Sequence, residues 1–438
     1  MGMDTAHGQA MYDFAEKIFP YCRSITGDGV RRTIADMKEY VEAGTKVSLD
    51  VYGIPSGTQV FDWTVPKEWA IREAYIENEA GERIVDMKVN NLHVLGYSTP
   101  IDAWVDLDEL KKYIYTEPNQ PEVIPYVTSY YKERFGFCMS EAQKNSLQPG
   151  KYHMYIDSDL FDGVLNYAEA VIPGESRQEI FFSTYLCHPS MANNECSGPA
   201  LAAELIRFVA SMEHRSYTYR FLFIPETIGS ISYMSVDNHL VHMQEHMLAG
   251  FNLSCVGDDG DYSIVESKYA NTLADRALKN VLRYHAGRYS VYSFLKRGSD
   301  ERQYNAAGVD LPVVCYCRSK FGEYPEYHTS ADDMNLISPE GFQGSYEVMT
   351  QVIQALEYNR HYKSAVLCEP QLGKRGLYPT LSKKGNYDEI NAMMDFIAYA
   401  DGKDDLIGVS DRIGVPVIRL LPIVQRLEKA GLLVSCGE

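Results

Sequence analysis

The sequence predicts an α/β protein: a sheet with helices on both faces, interrupted by a β-rich insertion and followed by a C-terminal helical module. Three observations carry this. From about 151 to 362, apolar runs (KYHMYIDSDL, EIFFSTYL, YTYRFLFI, HMLAGFNLSCV, LPVVCYC) alternate with helical segments. Nearly continuous apolar strands of this kind belong to sheets buried on both sides. From 51 to 150 the residues alternate apolar and polar, punctuated by Gly, Pro and Asn, the texture of short strands. From 363 onward short helices dominate. The expected division is a split α/β domain (1–50 and 151–362), an inserted β-rich domain (51–150) and a C-terminal domain (363–438).

Each element has its own reason. MYDFAEKIFPYC and RRTIADMKEYVEA space apolar residues three and four apart, with TGDG supplying a turn between two helices. All three tryptophans (Trp63, Trp69, Trp104) fall in the insertion, which predicts a small core of its own there. A short helix (DLDELKKYIY) and the aromatic run IPYVTSYYKERFGFC follow. In the α/β region, SGPALAAELIRFVASM, SISYMSVDNHLVHM, NTLADRALKNVLRYH and SPEGFQGSYEVMTQVIQALEYNR separate the strands as helices. The last block (YDEINAMMDFIAYADGK, DLIGVSDRIG, VPVIRLLPIVQRLEKAGLLVS) reads as three helices and a strand, a winged-helix-like order.

Composition limits the functions. The 438 residues carry 41 basic and 60 acidic side chains, a net charge of −19, with 45% hydrophobic and 23% charged residues. Such a chain is not intrinsically disordered. Its acidic excess argues against nucleic acid and anionic membrane as partners. The winged-helix-like block would otherwise suggest DNA binding, but residues 401–438 hold five bases against six acids. A recognition helix needs a basic excess, so this block is expected to pack structurally or to form a homodimer contact. No apolar run approaches the ~18–20 residues of a membrane span. The first residues lack a basic segment before an apolar one, so no secretory leader is expected. Ala6 stands where an acylation motif needs Ser or Thr. Nine dispersed cysteines read as free thiols of a cytoplasmic protein.

Three segments carry candidate chemistry. Cys187-His188-Pro189-Ser190 and the polar Ala192-Asn193-Asn194-Glu195 run lie between a strand and a helix N-terminus. Glu226 follows the apolar run FLFIP, where a carboxylate is expensive to bury without a task. Tyr327-His328-Thr329 sits on a loop after LPVVCYC. Two histidines and one or two carboxylates at one sheet edge suit a zinc-type site. A metal there lowers the pKa of water, and a carboxylate beside it shuttles the proton. His239, His242 and His246 have helical spacing but no HExxH glutamate, and read as structural.

These motifs resemble the co-catalytic zinc aminopeptidases. More closely, CHPSMANNECSGPA, PETIGSISY, RGSDERQY, EYPEYHTSADD, PSGTQVFDWTVPKEW, NNLHVLGYSTP and SITGDGVR resemble a bacterial family of aminopeptidase-like proteins. That family combines a zinc-aminopeptidase-like three-layer sandwich, a β-rich insertion and a winged-helix-like C-terminal domain. The resemblance implies that His188 and His328 are metal ligands and Glu226 is the general base. It also marks departures. Asn194 stands at the metal-bridging aspartate, Thr227 at the second glutamate of a Glu-Glu pair, and Ser254 near a later aspartate ligand. Amide and hydroxyl groups are poor zinc ligands, so one zinc held by His188, Glu195 and His328 is expected, with Asp258, Asp259 and Glu301 in reserve. Asn194, Asp300, Arg302 and Tyr327 are expected to order the site or bind substrate, Arg302 by clamping a carboxylate.

The expected function is therefore single-zinc hydrolysis of a peptide-like or other amide bond in a small-molecule or peptide-like substrate. The alternatives are zinc-dependent acyl transfer or cyclisation on the same scaffold, and a non-catalytic binding protein with a degenerate site. The insertion could form a lid, with Asn90, Asn91 and His93 giving polar contacts.

Overall fold

The computed structural model describes residues 5–377 and 386–436. The leader and acylation readings rest partly on residues 1–4, outside the described residues. The chain forms two compact units, residues 1–270 with 290–346, and 271–289 with 347–438.

The first unit is built on an eight-stranded sheet, in the order Asp50–Pro55, Val164–Ile172, Thr218–Ile224, Glu179–Tyr185, Met247–Leu253, Val313–Cys317, Ser263–Val265, Ser290–Tyr292. The central four strands run parallel and are almost wholly buried. This is why the sequence there shows apolar runs without alternation. After Glu179–Tyr185 the chain crosses first to Thr218–Ile224 on one side, then to Met247–Leu253 on the other. The reversal opens a crevice beyond the carboxyl ends of these strands. Register pairs Tyr185 with Ile224, so the residues just after each strand emerge side by side. At the opposite end, buried Arg220 is neutralised by Glu179 (2.7 Å from each carboxylate oxygen) and by Glu169.

Two strand assignments and the expected core of the insertion need correction. Lys151–Phe161 leaves the large sheet and pairs with Glu68–Asn78 and Ile101–Asp106 in a separate four-stranded sheet. Asp50–Pro55 and Val164–Ile172, half-polar runs, instead form an antiparallel edge of the large sheet. The insertion does not hold a core of its own: Trp69 is 3% exposed and shares one continuous core with Phe181 and Tyr185 of the large sheet. Trp63 and Trp104 are 40% and 51% exposed and are not core residues.

The second unit holds the helix Leu273–His285, the later part of Pro339–Tyr358, and a three-stranded sheet with His361–Ser364 between Asp401–Asp405 and Leu433–Cys436. The helices Asn386–Tyr399, Leu406–Ile413 and Val417–Lys429 complete it. Their apolar faces bury Phe396, Leu406, Leu420, Val424 and Leu427. Asp405 caps Leu406–Ile413 through the Gly408 N–H and pairs with Arg276.

All nine cysteines are free. Among the described residues no helix is long and apolar enough to cross a membrane.

Candidate functional site

The site is assembled from three strand-end loops. His188 and Glu226 follow the paired ends Tyr185 and Ile224. The run Ala192–Cys196 forms one wide π-type turn that leads into the helix Ser197–Ser211. Gly198 permits the helix to approach the sheet, because a Cβ there would lie 2.1 Å from Thr184 Oγ1 and 2.8 Å from the Leu253 carbonyl. Asp332 holds the turn. Its carboxylate accepts the N–H groups of Asn193 (2.6 Å) and Asn194 (3.0 Å), and its carbonyl accepts that of Ala192 (3.0 Å).

This turn aims Glu195 at His188. Glu195 Oε2 lies 3.0 Å from His188 Nδ1, and Oε1 lies 3.4 Å from Arg23 Nε. Arg23 is fully buried and also donates to the His188 carbonyl at 2.9 Å. Burial pushes the Glu195 carboxyl up to about 8, with the Arg23 charge pulling against it. With Glu195 ionised, His188 carries its proton on Nδ1. The free Nε2 then faces Glu226, 3.8 Å away.

Glu226 precedes a strained turn. Thr227 has φ +65°, and its N–H is fixed by Asp300 Oδ1 at 2.8 Å, which also accepts from Ser230 Oγ at 2.7 Å. A threonine in this conformation costs about 1–3 kcal/mol and persists only where surroundings enforce it. Burial raises the Glu226 carboxyl to about 8, with the Asp300 charge adding to the effect. Thr227 Oγ1 accepts from Arg302 Nη2.

His328 also takes a left-handed backbone, φ +58°. The insertion holds it there: Tyr126 N–H donates to the His328 carbonyl at 2.9 Å, and Pro125 bridges Thr329. Tyr327 stacks on its ring at 3.9 Å, and the Tyr126 ring touches both His188 (5.2 Å) and His328 (5.1 Å). Burial lowers both imidazoles to about 3, keeping them neutral.

His188, Glu226, Thr227, Arg302 and His328 line a cavity of about 360 Å³. Its remaining wall is mostly aromatic, with Trp63, Tyr126, Tyr130 and Tyr131 from the insertion. Of the expected site residues, His188, Glu226, Arg302 and His328 are brought together on this wall. Glu195, Asp300 and Tyr327 stand behind it as partners of His188, Thr227 and His328. Asn194 is turned away, donating from Nδ2 to Tyr185 Oη (2.8 Å), which pairs with Ser254 Oγ (2.6 Å). Asp258 is engaged by Asn193 and Ser319, and Glu301 by the Gly298 N–H. Asp259 accepts from Ser338. Asn90, Asn91 and His93 do not reach the cavity: they bond Leu92 N–H, the Pro20 carbonyl with Ser190, and the Cys138 carbonyl.

Comparison with known proteins places this arrangement. Residues 12–359 match the family described as a domain of unknown function, DUF4910. The chain belongs to the DUF4910 family. Residues 360–435 match a winged helix-turn-helix model. A Clostridium acetobutylicum protein, named as a proposed polysaccharide biosynthesis protein with an aminopeptidase-like domain, is 40% identical over 97% of this chain and 96% of its own length. A crystal structure of a proposed peptidase from the same organism is 39% identical, with a TM-score of 0.91 over 99% of this chain and 97% of that one. A zinc aminopeptidase from Bacillus subtilis matches in fold, at 14% identity and a TM-score of 0.58 over 81% of this chain and 95% of that one. This DUF4910 chain therefore has the aminopeptidase-like α/β fold with a C-terminal winged helix.

Two positions beside His188 could hold a cation in the DUF4910 site. On the Nδ1 edge, Cys187, His188 and Glu195 offer atoms within 4.8 Å of one another. There Glu195 Oε2 is engaged by His188 Nδ1 at 3.0 Å, and Oε1 faces the Arg23 guanidinium at 3.4 Å, a cation beside which a second cation would be repelled. On the Nε2 edge, His328 Nε2 is buried with no hydrogen-bond partner. Buried polar atoms left unpaired are rare enough to require a reason. Imidazole nitrogens are zinc-type donors, and His188 and His328 line the same cavity with their ring centroids 5.2 Å apart and Glu226 Oε2 3.8 Å from His188 Nε2. Asn194, Tyr185 and Ser254 form a neutral hydrogen-bonded chain, and Thr227 is bonded to cationic Arg302.

Sequence reasoning missed Arg23, Asp332 and Tyr126. Arg23 and Asp332 lie beside or within quoted motifs (SITGDGVR, EYPEYHTSADD), which was a usable signal. Tyr126 sits in the aromatic run IPYVTSYYKERFGFC, where nothing local distinguishes it from its neighbours.

Proposed function

We propose that this protein is a metal-dependent amide hydrolase with one zinc ion held by His188 Nε2 and His328 Nε2. The observation that carries the reading is the unpartnered, buried His328 Nε2 on one cavity wall with His188 and Glu226. When bound, the ion supplies Lewis-acid polarisation of the substrate carbonyl. Glu226 Oε2 takes a proton from the attacking water and returns it to the leaving nitrogen. General acid–base transfer of this kind is worth about 10²–10⁴-fold in rate. Glu195 serves here as the carboxylate that orients His188 rather than as a ligand, since it occupies the opposite ring edge. Asp300 fixes the turn that aims Glu226. The aromatic wall supplies apolar surface against which a substrate side chain can pack.

The test is metal analysis of the purified full chain, with zinc-dependent turnover of a panel of peptide and N-acyl amides. One zinc per chain is expected, with E226Q keeping the metal and losing at least ~100-fold in rate. Protein that neither carries stoichiometric metal nor gains thermal stability on zinc addition sinks the reading. The apolar wall also suits acyl transfer or cyclisation, and label from heavy-oxygen water in the product separates hydrolysis from it. Unchanged turnover and ligand affinity in E226Q would favour a binding protein instead. For the winged helix we propose packing against a second copy of the chain rather than nucleic acid. Light scattering is expected to give a dimer, and mobility-shift assays no DNA complex.

A further inference from the structure

The cavity carries a cation that the hydrolytic step does not use. Arg302 extends from the short helix Glu301–Tyr304 to the cavity wall, where Nη2 donates to Thr227 Oγ1 at 2.5 Å. Its Nε is buried without a hydrogen-bond partner. Among the described residues it forms no ion pair. The nearest acids in sequence are committed elsewhere: Asp300 to Thr227 N–H and Ser230, Glu301 to the N–H groups of Gly298 and Ser299. A guanidinium held by one hydroxyl, with Nε free, keeps the fork geometry that recognises a carboxylate. A second unpartnered buried atom, Thr128 Oγ1, lies on the same wall. The wall has one carboxylate, Glu226, and its other surface is Ile25, Ile228, Trp63, Tyr126, Tyr130 and Tyr131. A substrate ammonium would meet Arg302 with only Glu226 to compensate it. A substrate carboxylate would meet a ready partner.

We propose that the substrate is an acid: an N-acylated amino acid, or a related amide bearing a carboxylate and a bulky apolar or aromatic group, with Arg302 as the residue that selects the carboxylate. This rests on the amide-hydrolase reading for the bond that is cut, but the recognition is testable without turnover. Full-length protein, zinc-loaded and chelator-treated, is titrated calorimetrically with N-acetyl-L-phenylalanine, its neutral primary amide N-acetyl-L-phenylalaninamide, and the free amine L-phenylalaninamide. The acid is expected to bind at least about ten-fold tighter than the neutral amide, with or without zinc, and the free amine weakest. R302M should remove the acid's advantage and leave the neutral amide's Kd within about two-fold, while R302K keeps an intermediate preference. Equal binding of acid and neutral amide, preference for the free amine, no binding of the acid, or an intact preference in R302M overturns the proposal. The wild-type comparison stands even if R302M fails to fold. Carboxylate preference without any turnover would count against hydrolysis alone, and turnover confined to amine-bearing amides would count against the carboxylate alone.

Discussion

His188 Nδ1 lies 3.0 Å from Glu195 Oε2, on the ring edge opposite the one that faces Glu226. One imidazole thus has a structural edge and a cavity edge, and Glu195 belongs to the structural one. E195Q is therefore expected to weaken zinc binding by about 10–100-fold, the usual effect of losing an orienting carboxylate. H188A should abolish it. Competitive zinc titration of the two variants checks this. A loss in E195Q as complete as in H188A would mean that Glu195 is itself a ligand.

The Arg23–Glu195 pair is buried at both ends, with side chains 0% and 1% exposed. Without Arg23 the Glu195 carboxyl is neutral but has lost a buried polar neighbour, so R23M should cost about 1–3 kcal/mol in urea unfolding. The double variant R23M/E195M should recover part of that loss, because no buried polar group is then left without its partner. Additive losses would show that the two side chains do not act as a pair.

The tryptophans should separate cleanly. Trp69 donates from Nε1 to the Ser98 carbonyl at 2.9 Å and stands in the shared core. W69A should cost about 3–5 kcal/mol. Trp63 is a half-exposed cavity wall, and W63A should cost under about 1 kcal/mol by the same denaturation while weakening binding of aromatic ligands.

Acid should loosen the second unit through Asp405. Burial alone would raise this carboxyl, but hydrogen bonds from Arg276, Asn359 and the Gly408 N–H hold it below its ordinary value. A depressed folded value means that stability is present above the unfolded pKa of about 3.9. It is lost as pH falls through the folded value. D405N should unfold more readily at pH 6–7, by about 1–3 kcal/mol, and its melting temperature should fall less steeply than wild type below about pH 4. Parallel pH profiles of the two proteins would exclude this role for Asp405.

Much of the fold was legible because it is written in periodicity. Apolar runs such as EIFFSTYL and YTYRFLFI mark strands buried on both faces, and the amphipathic spacing in 273–285 and 417–429 marks helices. The misassigned strand, Lys151–Phe161, alternates buried and exposed residues. Alternation reports that one face is covered, but not which sheet covers it.

The sequence by itself determined the α/β order, the C-terminal helical block and the residue types of the candidate site. His188, Glu226 and His328 stood out because each follows an apolar strand, where a polar side chain needs a reason. Only the tertiary structure decided what each one faces. Glu195 reached the Nδ1 edge of His188 because a π-type turn, pinned by Asp332 from 138 and 139 residues away, rotates it there. Arg23 arrived from 165 residues away, and Tyr126 from the insertion. Local propensity sets which residues form an element. The direction of a buried side chain depends on long-range hydrogen bonds and on charges that must be neutralised where water is excluded.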